Sequence, residues 1–389
     1  MHSKSKSRGF TVAEMLVSLI VGTIVLGGAV DIFSRSMAAT WVVSQKAEMQ
    51  QDARAAVTLM TKDIRMAGGG LPSGGVALAF GAGVPPAYGL DYTGAGHLGT
   101  NNNAGVNFPT QAVGANNIPY LYGAIPGCGK GITLNAGAGA TDIITVVYTD
   151  STLPLQDYQV TFNNSNGTSV TFTSTVAGDP AVNNTGVGLQ QGDLVLFQAQ
   201  IGAGANATTG YAIGTVTAPA GVGAGPSYTV LFNNADALKL NQTAATSGDV
   251  KQIVSNVGAV APNTIAKRIW AITYYLWNEP NPAGGTAIPV LMRQANARLP
   301  VPLAENVTDL RFTYDSYDTS GNLAAAACDA GISAGVSPNE IRAINIKHLT
   351  IRSQLAGSRS SYVATKGYQS YDIHESLSAR NLSFSQRYQ

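Results

Sequence analysis

Gly9-Phe10-Thr11-Val12-Ala13-Glu14-Met15-Leu16-Val17-Ser18-Leu19-Ile20-Val21-Gly22-Thr23-Ile24-Val25-Leu26-Gly27-Gly28-Ala29-Val30 decides how this chain is read. From Phe10 to Val30 it is apolar over about 21 residues, and a helix needs ~20 to cross hydrocarbon. Asp31 ends the run. The flank before it, residues 1–9, holds Lys4, Lys6 and Arg8 and no acid. Such a flank stays cytoplasmic under the positive-inside rule, which puts the remainder of the chain outside the cytoplasm. A secretory signal is cut after its apolar run; here the processing point lies before it. Hydropathy alone also admits an uncleaved signal anchor. Glu14 argues otherwise: an acid at that depth costs roughly 2.5–3.5 kcal/mol, and such residues are usually functional and partnered. Cleavage between Gly9 and Phe10 would free an α-amino group at Phe10, a cation able to pair with Glu14 of a neighbouring subunit.

Ser7-Arg8-Gly9 followed by Phe10-Thr11-Val12-Ala13-Glu14-Met15-Leu16-Val17 resembles the class III signal of type IV prepilins and pseudopilins. The resemblance implies that a membrane-embedded prepilin peptidase cuts after Gly9 and methylates Phe10. It also implies that Glu14 guides subunit docking during assembly.

No proline follows Val30 until Pro72. Met49, Ala53, Ala56, Met60, Ile64 and Ala67 recur at spacings of three and four, which makes one apolar stripe on a helix. Gly68-Gly69-Gly70 and Pro72 form a stop signal. The pattern predicts a helix over residues 10–67, about 87 Å long at ~1.5 Å per residue. Gly22, Gly27 and Gly28 are its soft points, because mid-helix glycine costs roughly 0.8–1 kcal/mol against alanine. The segment from Gln51 through Asp63-Ile64-Arg65-Met66-Ala67-Gly68 resembles the same helix in PilW-type minor pilins and, more distantly, in J-type pseudopilins of type II secretion. The fold so implied is α+β and pilin-like. A basic leader (1–9) precedes a transmembrane and filament-core helix (10–30) and an amphipathic helix (31–67), which packs on an antiparallel sheet.

Only 12% of the 389 residues are charged, the formal net charge is +1, and 44 residues are glycine. Between Gly68 and Ala235 the only charges are Asp91, Lys130, Asp142, Asp150, Asp157, Asp179 and Asp193. So few cations make nucleic acid an unlikely partner, since phosphate binding needs Lys and Arg. Residues 71–263 read as a β-rich, loop-rich insertion of Gly, Ala and Asn, with an Asn166-Gly167 hairpin signal. Its loops are a candidate surface for binding a ligand. Residues 264–389 read as a C-terminal antiparallel sheet. Its strands fall at Arg268–Trp277, Pro289–Arg293, Leu303–Tyr314 and Ile341–Arg352, with a last one near Leu382–Tyr388.

His2, His97, His348 and His374 are scattered in sequence, without zinc-site spacing or a nucleophile partner, and no enzyme is expected. No cofactor is expected apart from calcium, for which Asp315, Asp318 and Asn322 offer oxygen ligands in a turn. Cys128 and Cys328 are either a disulfide, favoured by export, or two separate buried thiols. The expected role is a minor pilin, inserted in the bacterial inner membrane and moved by the assembly platform into an extracellular pilus, at or near its tip. Its partners are the peptidase, major and minor pilins, and lipid before assembly. The alternatives are a J-type pseudopilin of type II secretion and a pilus-associated adhesin.

Overall fold

A computed structural model describes residues 11–83, 85–86, 108–134, 139–202, 207–218, 226–234, 236–257, 264–280, 287–317, 323–327, 340–352, 370–379 and 382. They form two units: 1–51 with 352–370, and 52–351 with 371–389. One helix, α1 (Val12–Met66), begins in the first and ends in the second. It is unbroken at Gly22, Gly27 and Gly28, where an added Cβ would meet nothing within 4 Å. All six residues of the apolar stripe, Met49 to Ala67, are buried. The stop signal works through backbone conformation. Gly68 and Gly70 have φ of 78° and 72°, in the left-handed region that favours glycine. The Gly69 N–H then donates to the Met66 carbonyl at 2.9 Å.

The remainder of the chain is mostly antiparallel strand. The early strands are β1 (Val76–Ala77), β2 (Thr110–Val113), β3 (Asn116–Leu121), β4 (Ala124–Gly127) and β5 (Ile143–Thr149). Next come β6 (Tyr158–Phe162), β7 (Ser169–Ser174), β8 (Leu194–Ile201), β9 (Thr208–Thr215) and β10 (Ser227–Leu231), then helix α2 (Val250–Val257). The later strands are β11 (Thr264–Glu279), β12 (Ile288–Ala295), β13 (Val301–Glu305) and β14 (Val307–Tyr317). β15 (Leu323–Ala327), β16 (Ile341–Arg352) and β17 (Ser370–Ser378) complete the order.

The largest sheet has seven strands in the order β13-β12-β11-β5-β4, with β8 on β11 and β9 on β8. Its hub is β11, a 16-residue strand carrying three partners. β8 pairs with its first part (Thr264↔Ala199), β5 with its middle (Tyr274↔Ile144) and β12 with its end (Tyr274↔Arg293). The boundary read from composition at 263/264 is therefore crossed by the sheet. β4, β5, β8 and β9 come from the glycine-rich side and pair into the same layer as β11 to β13. Strand pairing follows apolar faces, and composition does not report those.

β6, β7 and β10 form a smaller sheet over the same region, and the Asn166-Gly167 turn makes the β6–β7 hairpin, with Gly167 at φ 68°. Phe197 of β8 joins this sheet to the large one, with ring centroids 5.8 Å from Phe162 and 5.5 Å from Phe232. The segment read as one strand over Leu303–Tyr314 is two, β13 and β14, parted at Asn306, whose φ is 58°. β1, β3 and β2 pair in that order in a third sheet, and a fourth has the order β15-β14-β16-β17. Its edge strand β17 escaped the sequence reading, which looked near Leu382–Tyr388; residues 383–389 lie outside those described.

Candidate functional site

The chemistry of the N-terminal stretch begins with Thr11. Its N–H and hydroxyl both donate to Glu14 Oε2, at 2.9 and 3.0 Å, and the Glu14 N–H reaches back to Thr11 Oγ1 at 3.3 Å. Thr11 is thus the N-cap of α1, and Glu14 sits three residues inside it. This is a capping box, in which two orphan helix-end donors are satisfied reciprocally. The first turn closes with the Met15 N–H on the Thr11 carbonyl at 3.2 Å. Sequence reading took Glu14 as an assembly acid and overlooked the Thr-Val-Ala-Glu box, although that pattern is visible in the residues.

Beyond the cap, α1 contains a segment long and apolar enough to cross a membrane. Leu16, Ile20, Ile24 and Leu26 are exposed. Exposed apolar side chains continue past Asp31 at Ile32, Phe33, Met37 and Trp41. Asp31 itself pairs with Arg35 one turn on, at 3.0 Å.

The far end of α1 is held on the large sheet. Asp63, buried, accepts from the Tyr148 hydroxyl of β5 at 3.0 Å, the Tyr274 hydroxyl of β11 at 2.6 Å and Arg293 Nε of β12 at 2.8 Å. Burial, and then the Asp63 charge, push both tyrosine hydroxyls well above their ordinary value. Burial works against the Arg293 charge, but its bond to Asp63 outweighs that and raises its pKa. Backbone bonds add to the dock: the Gly68 N–H donates to the Val147 carbonyl at 2.8 Å, and the Thr149 N–H to the Gly69 carbonyl at 2.8 Å.

Residues 4–30 match the family model of the prokaryotic N-terminal methylation motif. The match supports a type IV prepilin-like N-terminus. No curated protein and no solved structure matches the chain. A motif of this kind implies processing by a prepilin peptidase and assembly with other pilins. Together with the apolar helix it fits membrane anchoring followed by the pilus. Gly9 and Phe10 lie outside the described residues, two positions and one position before the N-cap.

The other residues singled out from sequence are placed as follows. Cys128 is disulfide-bonded, and the chain's second cysteine, Cys328, lies outside the described residues. Asp315 lies on β14 and accepts from Asn345 Nδ2 at 3.1 Å; Asp318 and Asn322 lie outside the described residues. In the glycine-rich region an open apolar pocket of about 440 Å³ is lined among others by Ala79, Phe80, Pro85, Pro86 and Phe108.

Two clusters had no sequence signal. Arg268 of β11 is buried and donates to Asp150 Oδ2 through Nε at 2.8 Å and to the Val187 and Gly188 carbonyls at 2.9 Å each. Arg298 bonds Asp193 at 2.7 Å, and both guanidinium groups lie over Trp270, at 4.9 and 5.1 Å. Trp270 is therefore a stacking platform for two arginines within the fold. The second cluster brings together His348 and His374, which looked unrelated in sequence, around Asp372.

Proposed function

We propose that this prepilin-like chain is a minor pilin of PilW type. It is cleaved after Gly9, methylated at Phe10, and assembled into the pilus tip or initiation complex. The observation that carries this reading is the continuity of α1: the helix bearing the methylation motif runs without a break into the Asp63 dock on the sheet. A signal anchor needs only to cross the bilayer. This helix is 55 residues long, and its exposed apolar surface extends beyond the span. That surface suits a subunit that trades lipid for the apolar core of a filament, an inexpensive transfer because both are hydrocarbon-like. The work of the chain is assembly and not catalysis, with the assembly platform and other pilins as partners. N-terminal sequencing of purified pili checks this: the expected first residue is a methylated Phe10. A chain that begins at Met1 in the pilus or membrane fraction contradicts the reading.

A further inference from the structure

We infer that His348, Asp372 and His374 form a zinc-binding site on the β16–β17 face. The site depends on a bulge. β14 pairs Arg311 with His348 but Phe312 with Ile346, so Lys347 is an extra residue in β16. Before it, Ile344 and Ile346 are buried; after it, Leu349 and Ile351 are. The extra residue reverses the alternation and sends His348 and Thr350 to the open face instead of the core. On β17, Asp372 and His374 stand two apart on that same face, both exposed.

The ligand atoms of the three residues all lie within 4.8 Å of one another. His348 Nδ1 is 2.8 Å from Asp372 Oδ2, and His374 Nε2 is 3.2 Å from the same oxygen. Tetrahedral zinc with bonds of about 2.0–2.1 Å sets its ligands about 3.4 Å apart, so small rotations of exposed rings bring these three into place. The surrounding hydrogen bonds orient the ligands in advance. His374 donates its Nδ1–H to the carbonyl of Lys347, the bulge residue, which leaves the Nε2 lone pair facing Asp372. The second oxygen of Asp372 accepts from Thr350 Oγ1 at 3.0 Å. Zinc-bound histidines and carboxylates are held in this way by outer partners.

Two imidazoles and one carboxylate suit zinc and its transition-metal neighbours; calcium requires an all-oxygen shell. Zinc takes the place of the proton between His348 Nδ1 and Asp372, and the neutral ring then carries its one proton on Nε2. On β14, Asp309 and Arg311 stand in register with Thr350 and His348, and they pair with each other at 3.0 Å. Their charges thus offset each other beside the site. His374 is 60% exposed, so a fourth coordination position faces solvent.

The test is titration of the metal-stripped full chain in detergent micelles with Zn²⁺, and with Co²⁺ as a visible-absorbance probe. A single saturable equivalent is expected, together with a Co²⁺ spectrum of a low-coordinate nitrogen–oxygen site. His374→Ala and Asp372→Asn should abolish it, and Thr350→Val should weaken it by roughly tenfold. His2→Ala with His97→Ala should leave it intact. Metal-free melting curves report whether each variant folds, and His348→Gln replaces any that does not. Absence of saturable binding in the unmodified chain overturns the site. So does equal binding in the His374 and Asp372 variants, or loss that follows His2 and His97.

Discussion

Glu14 has two possible employments that differ in what they ask of the side chain. The capping box asks for an acceptor near the Thr11 N–H, and glutamine serves there as well as glutamate. Pairing with the α-amino group of a neighbour asks for a negative charge. Glu14→Gln therefore separates them. If charge drives docking, Glu14→Gln and Glu14→Ala both insert in the membrane normally and both fail to enter pili. Quantifying the subunit in membrane and sheared pilus fractions checks this. Normal piliation with Glu14→Gln would assign the residue to the cap alone. The cap accounts for about 1 kcal/mol, which a long helix tolerates. Both roles are legible in the residues, the first as the Thr-x-x-Glu pattern and the second as a lone acid in an apolar run.

At the scale of elements, the stripe from Met49 to Ala67 and the glycine stop were readable because helix periodicity and left-handed backbone leave local marks. The dock was not. Asp63 is visible on the helix, but Tyr148, Tyr274 and Arg293 reach it from three strands, and no local pattern marks that meeting. Asp63→Ala should lower the unfolding free energy by about 3–5 kcal/mol, because it strands a partly buried arginine, the buried Tyr274 hydroxyl and the half-buried Tyr148 hydroxyl. Asp63→Asn, which keeps an acceptor but loses the charge, should cost less. Denaturant unfolding monitored by tryptophan fluorescence gives both values; equal stability of Asp63→Ala and the unmodified chain would remove the dock from the account. The edge strand β17 was missed for a related reason. Only its alternation of polar residues with Tyr371, Ile373 and Leu377 marks it, a weaker signal than the apolar runs of β5 and β11.

Across the whole molecule charge is scarce, and among the described residues a few carboxylates are buried or half-buried, so stability depends on pH through a few groups. Burial would raise the Asp150 carboxyl, but bonds from the Thr152 N–H and hydroxyl, and then Arg268, hold it below its ordinary value of 3.8. A depressed folded value means that its contribution is present above pH 3.8 and lost as pH falls through the folded value. The difference in melting temperature between the unmodified chain and Asp150→Asn should be largest near neutrality and shrink below pH 3.8. A difference independent of pH would contradict this. Burial raises Asp236 and Asp249, so theirs is the opposite contribution, present at low pH and lost as pH rises through their folded values. Comparison with Asp150→Asn cancels them. The α+β architecture was legible from one helix pattern and many β-branched runs. The seven-stranded sheet was not, because β5 and β11 are paired by apolar faces far apart in the chain.

The dock at Asp63 also sets a timetable. Arg293 lies 230 residues after Asp63. At ribosomal rates on the order of 5–20 residues per second, it emerges roughly 10–50 s later. Until then the helix has left the ribosome, its buried stripe has nothing to cover it, and the hub strand β11 does not yet exist. The newborn chain therefore waits with an open seam, exposed to proteases and to neighbouring copies, until about three quarters of it has been made.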